Sequence, residues 1–294
     1  MASSFLVLIG YAAAWLLARR HARIGGVAAR HIDWLALCAI AGLTCGSALY
    51  RWLVDMPPAK DTWTAWLAPV GNVYVALISA CVPPAVYCLC RRLNLAVMAD
   101  IAAPSLAIAI VFARMNCFLV GCCWGDICCD RDELAVVLDE RTIGRVQTVP
   151  ALSGAGWPLA VCFPRGSVVY TDQMMLGLFE RPQDWSLPCH PVQLYEAACM
   201  GGLVIALMWC FPRRHTPLQI ACVTSIVYGT VRFLLEFLRA DHGATWHGLT
   251  MTQVISAAFI VTGIALLPAV RNVLARSSLT DSSSRAKKRP LARR

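Results

Sequence analysis

An all-α membrane protein, with seven transmembrane helices and a periplasmic head inserted between the fourth and fifth, follows from three features of this 294-residue chain. Hydrophobic residues make up 58% of it and charged residues only 15%, against about 25% charged in a soluble domain. Seven apolar segments approach the roughly 20 residues that ~30 Å of hydrocarbon requires. Basic residues gather in alternate loops, the pattern of the positive-inside rule.

The segments cover about residues 4–17, 34–54, 67–90, 93–113, 192–211, 217–238 and 249–270. The first is short, and its N-terminal position resembles that of a signal peptide. Its charges Arg19, Arg20 and Arg23 follow the apolar run rather than precede it, which favours a first span with an external N-terminus. The next basic loops are Arg91-Arg92, Arg213-Arg214 and the tail from Arg271. These are the cytoplasmic sides. The intervening loops are neutral or acidic, and the long one, 115–189, has no Lys. The expected organisation is a seven-helix membrane domain over 1–270, a periplasmic head at 115–189 and a disordered basic cytoplasmic tail at 271–294. The net charge of +9 lies in loops and tail rather than on a folded face, which excludes nucleic acid as the partner. Membrane lipids are the expected surroundings, in a multi-pass protein of the bacterial inner membrane.

Ionisable residues inside spans are costly and usually functional, and here they cluster. Segment four ends at Arg114. Segment five opens with "HPVQLYEA", which supplies His190, Gln193 and Glu196. Segment six closes with "YGTVRFLLEFLRAD", which supplies Tyr228, Arg232, Glu236 and Arg239. Segment seven places Gln253 near its outer end. At 1.5 Å rise per residue these groups fall at one level, in the outer half of the bilayer. Spacings of four, four and three put Tyr228, Arg232, Glu236 and Arg239 on one helical face. One reading has Arg232 and Glu236 neutralising each other and only fastening the bundle. The other takes two arginines on separate helices as a clasp for an anion, and a phospholipid phosphate is the one at hand, since the guanidinium fork donates two hydrogen bonds to it. Asp100, four residues before Pro104, is given a structural role.

Four stretches resemble the prolipoprotein diacylglyceryl transferase family: "ADIAAPSLAIAIVFARMNCFLVGCCWG", "WPLAVCFPRGS", "HPVQLYEA", and "YGTVRFLLEFLRAD" followed by "MTQVIS". The resemblance runs from about residue 93 to 266. It implies transfer of a diacylglyceryl group from phosphatidylglycerol to the cysteine thiol of a secreted lipoprotein precursor bearing a lipobox, with glycerol phosphate leaving and no cofactor. It implies that Arg114 and Arg232 hold the donor phosphate, with Gln193 and Gly125 among the phospholipid-binding residues. Catalytic roles fall to Arg232, Glu196, Tyr228 and His190. The chain departs from the family's pattern in three places. "VGNVYVALIS" stands where the family has a His-Gly-Gly stretch, with Tyr74 near the histidine position. Cys117 and Cys122 stand where it has Asn and Glu. "TCGSALYRW" replaces a Gly-Arg-containing end. Two other functions stay open: a non-catalytic phospholipid-binding paralogue, and a membrane thiol oxidoreductase.

The oxidoreductase reading draws on the fifteen cysteines. Those in spans are read as small apolar residues. The outer ones are Cys117, Cys122, Cys123, Cys128, Cys129, Cys162 and Cys189. They are read first as disulfides bracing the head, as an oxidising compartment permits. A reactive thiol at Cys117, Cys122 or Cys123, activated by Arg114, is a second reading. A metal site is a third, although CC-x4-CC lacks the C-x2-C pairing usual for zinc, and no metal ligand is assigned. Trp124, Trp157 and Trp185 are expected to anchor at the membrane interface.

Overall fold

The computed structural model describes residues 2–50, 73–128, 159–178, 184–214, 216–239, 245–246 and 248–267. Trp157, Cys129, most of the head's central stretch and the tail fall outside them. Helices occupy every apolar segment: α1 (Ala2–Ile24), α2 (Ala29–Tyr50), α3 (Val73–Cys90), α4 (Leu95–Val120), α6 (Val192–Cys210), α7 (Gln219–Leu235) and α8 (Met251–Leu267). The short α5 (Val168–Met175) lies in the expected head. A two-residue hairpin, β1 (Thr245–Trp246) with β2 (Leu249–Thr250), leads into α8.

Among the described residues, three stretches are long and apolar enough to cross a membrane: Leu95–Val120, Val192–Arg213 and Gln219–Leu238. Their outward faces agree. Ile205 is 72% exposed, Trp209 64% and Phe237 61%, an apolar display that water does not favour and acyl chains do.

Helix α4 runs past its expected end. Arg114 does not close the helix; six more residues follow, so the guanidinium stands roughly 9 Å before its end. The apolar pattern resumes at Met115, Phe118 and Leu119, and Gly121, at φ 71°, supplies the left-handed residue that stops it. Helix α1 likewise absorbs Arg19, Arg20 and Arg23, residues with good helix propensity.

The chain divides into two compact units, residues 14–105 and residues 1–13 with 106–294. In the first, Trp15 Nε1 donates to Asp33 Oδ1 at 2.9 Å, and His31 Nδ1 meets the Tyr87 hydroxyl at 2.9 Å. Asp100 is fully buried there. In the second, α7 packs on α8 through small residues. A Cβ added to Gly229 would lie 2.8 Å from Ser256 O and 2.9 Å from Ile260 Cγ1, so only glycine permits this approach.

Beyond Gly121 the chain forms a small irregular β-structure. Gly125 bridges to Arg239, Ile127 and Val161 to Cys189, and Pro164 to Trp185. Gly125 N donates to His190 O at 3.0 Å, Asp126 N to Leu238 O at 2.8 Å, and His190 N to Asp126 O at 3.0 Å. The segment after α4 is thereby stitched to the start of α6 and the end of α7. Trp124, Phe163, Val169 and Cys189 form the core beneath it, with Phe118, Ile127 and Val161 packed around. Helix α5 seals one side: Ser167 caps it by accepting from Tyr170 N at 3.2 Å, and Val169 N donates to Gly121 O at 2.8 Å. The buried Gln173 amide accepts from Leu187 N at 2.8 Å.

Two expectations are corrected here. Trp124 is no interfacial anchor; it is 3% exposed, and its Nε1 donates to Asp172 Oδ2 at 3.2 Å. Among the described residues no two cysteines form a disulfide; the aromatic core and the backbone bridges brace this segment.

Candidate functional site

The polar residues read from the sequence converge in the second unit. Arg114 Nε on α4 meets Glu196 Oε2 on α6 at 2.9 Å, and the Glu196 side chain is 1% exposed. Near the end of α7, Arg232 Nη2 meets Glu236 Oε2 at 3.1 Å, and Arg239 Nε approaches the same oxygen at 3.9 Å; Glu236 opens a 3-10 turn that follows α7 and Arg239 lies in extended backbone beyond it, so the four residues do not share one helical face as the spacing suggests. Tyr228 lies within the electrostatic field of Glu196, Arg114 and Arg232. Each arginine is therefore held by a carboxylate before any substrate arrives. Arg114 is held across helices and Arg232 along one.

This arrangement leaves polar capacity unused. Arg232 Nη1, Glu196 Oε1 and Gln193 Oε1 are buried with no hydrogen-bond partner among the described residues. A buried, unsatisfied donor or acceptor costs about 1–3 kcal/mol, and more when charged. A site with an orphaned guanidinium donor and nearby orphaned acceptors suits an anion that also carries hydroxyl groups.

The supports are local. Gln193 Nε2 donates to Cys122 O at 2.6 Å, which ties the start of α6 to the turn after α4. Gly125 is required by close approach: an added Cβ would sit 2.6 Å from both His190 Cβ and His190 O and 2.5 Å from Val192 Cγ2. His190 serves this pairing through its backbone. Its ring meets Tyr195 edge-on at 6.4 Å, and burial pushes its imidazole below the usual range against the opposing pull of Asp126.

Sequence reasoning missed Thr250. Its Oγ1 donates to Glu236 Oε1 at 2.8 Å, so it positions the carboxylate that holds Arg232. The signal was present as Thr-x-x-Gln at 250–253, a capping box. Thr250 N donates to Gln253 Oε1 at 3.0 Å, and Gln253 N donates to Thr250 Oγ1 at 3.2 Å. Gln253 thus caps α8 and reaches the ion pair only through Thr250.

The outer cysteines fall into two groups. Cys189 lies by Cys128 and Cys162, and burial raises its thiol pKa. Cys117, Cys122 and Cys123 converge elsewhere, with their sulfurs all within 4.8 Å of one another. Hydrogen bonds from Cys117 and Cys122, with the Arg239 and Arg114 charges, hold the Cys123 thiol well below its ordinary value. Cys122 is pushed the other way, chiefly by its hydrogen bond with Cys117. The metal reading of the sequence took Cys122 and Cys123 together with Cys128 and Cys129; among the described residues they converge with Cys117, the three residues of the reactive-thiol reading.

The chain is similar to known proteins over most of its length. The chain is 24% identical over 262 residues to the phosphatidylglycerol--prolipoprotein diacylglyceryl transferase of Clostridium tetani (strain Massachusetts / E88), covering 88% of each chain. It is 25% identical over 288 residues to the protein of the same name from Xylella fastidiosa (strain M12), covering 89% of this chain and 85% of that one. Over a shorter stretch of 96 residues, 31% of this chain, it is 36% identical to the one from Azoarcus sp. (strain BH72). The family model for prolipoprotein diacylglyceryl transferase matches residues 3–269, and the chain belongs to that family.

Proposed function

We propose that the protein transfers a diacylglyceryl group from phosphatidylglycerol to the cysteine thiol of a secreted lipoprotein precursor, and that Arg114 and Arg232 bind the donor phosphate. The observation that carries this is the pair of guanidinium groups, from α4 and α7, whose fields both reach Tyr228, with Arg232 Nη1 buried and without a hydrogen-bond partner among the described residues.

The chemistry follows from what leaves. Attack of a thiolate on the phosphate-bearing glyceryl carbon breaks a C–O bond, and the phosphate gains a second negative charge. Preorganised cations aimed at that oxygen stabilise the charge where it develops. Glu196 and Glu236 fix the two arginines, so little reorganisation is needed as the bond breaks. Glu196 Oε1 and Gln193 Oε1 are acceptors for the donor's hydroxyl groups. Tyr228 offers its phenol to the same phosphate. The resemblance also gives His190 a catalytic role; it stands on the segment paired with Gly125, at the outer end of α6.

The topology belongs to this reading. Seven spans over 1–270, a periplasmic head over 115–189, an external N-terminus and a cytoplasmic tail put the arginines at the headgroup level of the outer leaflet of the inner membrane. The alternating basic loops support it.

The test supplies purified protein with acyl-labelled phosphatidylglycerol and a lipobox peptide. Label on the cysteine peptide, none on its serine counterpart, and loss of label in Arg232→Gln support the reading. Lipid retention without transfer, or thiol oxidation with no lipid requirement, overturns it.

A further inference from the structure

The sulfurs of Cys117, Cys122 and Cys123 come from two places: the last turn of α4 and the turn that follows it. All three residues are partly buried, and no sulfur lies more than 4.8 Å from the others. Three ligands at about 2.3 Å around a tetrahedral ion stand roughly 3.8 Å apart, so closing on one ion asks at most about 1 Å of movement. Cys123 adopts φ 57°, a left-handed backbone that costs a residue with a Cβ on the order of 1–2 kcal/mol. That conformation carries its thiol to the other two. These three face charge: Arg114 and Arg239 lie within electrostatic range of Cys123.

We propose that Cys117, Cys122 and Cys123 ligate a thiophilic d10 cation of the zinc type, and that its fourth position takes the acceptor thiol. Soft thiolate sets select such ions, and a site with three protein ligands keeps one position open. The inference rests on the transfer reading above and supplies its missing step, generation of the nucleophile. Glu196 and Glu236 each have one carboxylate oxygen engaged by an arginine. Coordination deprotonates a thiol outright. As the acceptor sulfur binds, its proton passes to water. The sulfur electron pair then forms the S–C bond to the phosphate-bearing glyceryl carbon. The C–O bond to phosphate breaks, and its pair leaves with glycerol phosphate between Arg114 and Arg232. No oxidant or reductant is consumed, and the ion stays bound.

The experiment loads the full chain, purified in detergent under a phosphine reductant, with cobalt(II) as a coloured stand-in for zinc. One cobalt per chain with thiolate charge-transfer bands is expected. Cys122→Ser should weaken binding by more than the roughly 10–100-fold that loss of an outer-shell partner brings. A cysteine lipobox peptide should shift the cobalt spectrum, and its serine counterpart should not. Copper(I) competition then distinguishes a trigonal three-sulfur ion from a four-coordinate one; a trigonal ion that excludes the peptide overturns the fourth-ligand role. Absent bands, or bands unchanged in the Cys117→Ser/Cys122→Ser/Cys123→Ser variant, overturn the site. Full transfer by metal-free protein overturns the inference while the transfer reading stands. A peptide-dependent cobalt shift in protein that transfers nothing overturns the transfer reading instead.

Discussion

Replacing Arg114 separates a phosphate ligand from a mere counter-ion. Its Nε lies 2.9 Å from Glu196 Oε2, and the carboxylate is 1% exposed against 19% for the arginine side chain. In Arg114→Gln the Glu196 charge stays buried without its partner, and breaking such a pair costs about 3–5 kcal/mol. That corresponds to a fall in the detergent melting midpoint on the order of 10 °C. Arg114→Gln/Glu196→Gln removes both charges and keeps two amides able to bond each other, so most of that loss is recovered. Transfer behaves differently. If Arg114 binds the leaving phosphate, the double variant stays inactive although it is folded, with transfer down roughly a hundredfold or more, the scale of losing one charge-stabilising donor. The assay pairs a thermal melt with label transfer from phosphatidylglycerol on the unmodified protein and these two variants. Recovery of transfer in step with stability would refute the phosphate role and leave Arg114 a structural counter-ion.

Thr250→Val removes the hydroxyl that donates to Glu236 Oε1 at 2.8 Å; a hydrogen bond to a charged group contributes about 1.5–3 kcal/mol, so both the melting midpoint and transfer fall, whereas Thr250→Ser keeps both. Gly125→Ala forces a Cβ to 2.6 Å from His190 O and costs about 1–3 kcal/mol by overpacking, read in the melt; an unchanged midpoint would mean that the 125–128 segment moves freely. His190 has a folded pKa below its ordinary 6.5 because burial disfavours the imidazolium, so its contribution is complete above that value and is lost as pH falls, when the unfolded state binds more protons. His190→Asn should flatten the decline of stability between about pH 7 and 5, followed by melts across that range.

The helices were legible because a long apolar run, the one thing burial in lipid requires, recurs along the chain; the described part of each run is largely helical, and three of these helices are long and apolar enough to cross a membrane. Helix ends were less so. Reading a span as finished at Arg114 treats a charge as a boundary, but a guanidinium paired with Glu196 is neutralised where it stands, and the helix continues to Val120. The candidate site's members were legible as polar exceptions within apolar runs. Their pairing was not, since Arg114 and Glu196 stand 82 positions apart in sequence and only packing brings them together. The cysteines misled for the same reason. Adjacency suggested CC-x4-CC, yet the turn at Gly121 folds Cys122 and Cys123 back toward Cys117 and sends Cys128 to Pro188. Trp124 was placed by a rule about interfaces, whereas Asp172 offered its indole a buried partner.

The account turns on the phosphate being the group that leaves, held by the two arginines. The most direct measurement follows phosphatidylglycerol labelled in its headgroup together with the alkylated cysteine peptide. One glycerol phosphate released per diacylglyceryl thioether formed, with both abolished in Arg232→Gln, is the expected result. Label released as free glycerol, or peptide acylated while the headgroup stays on the lipid, would contradict it.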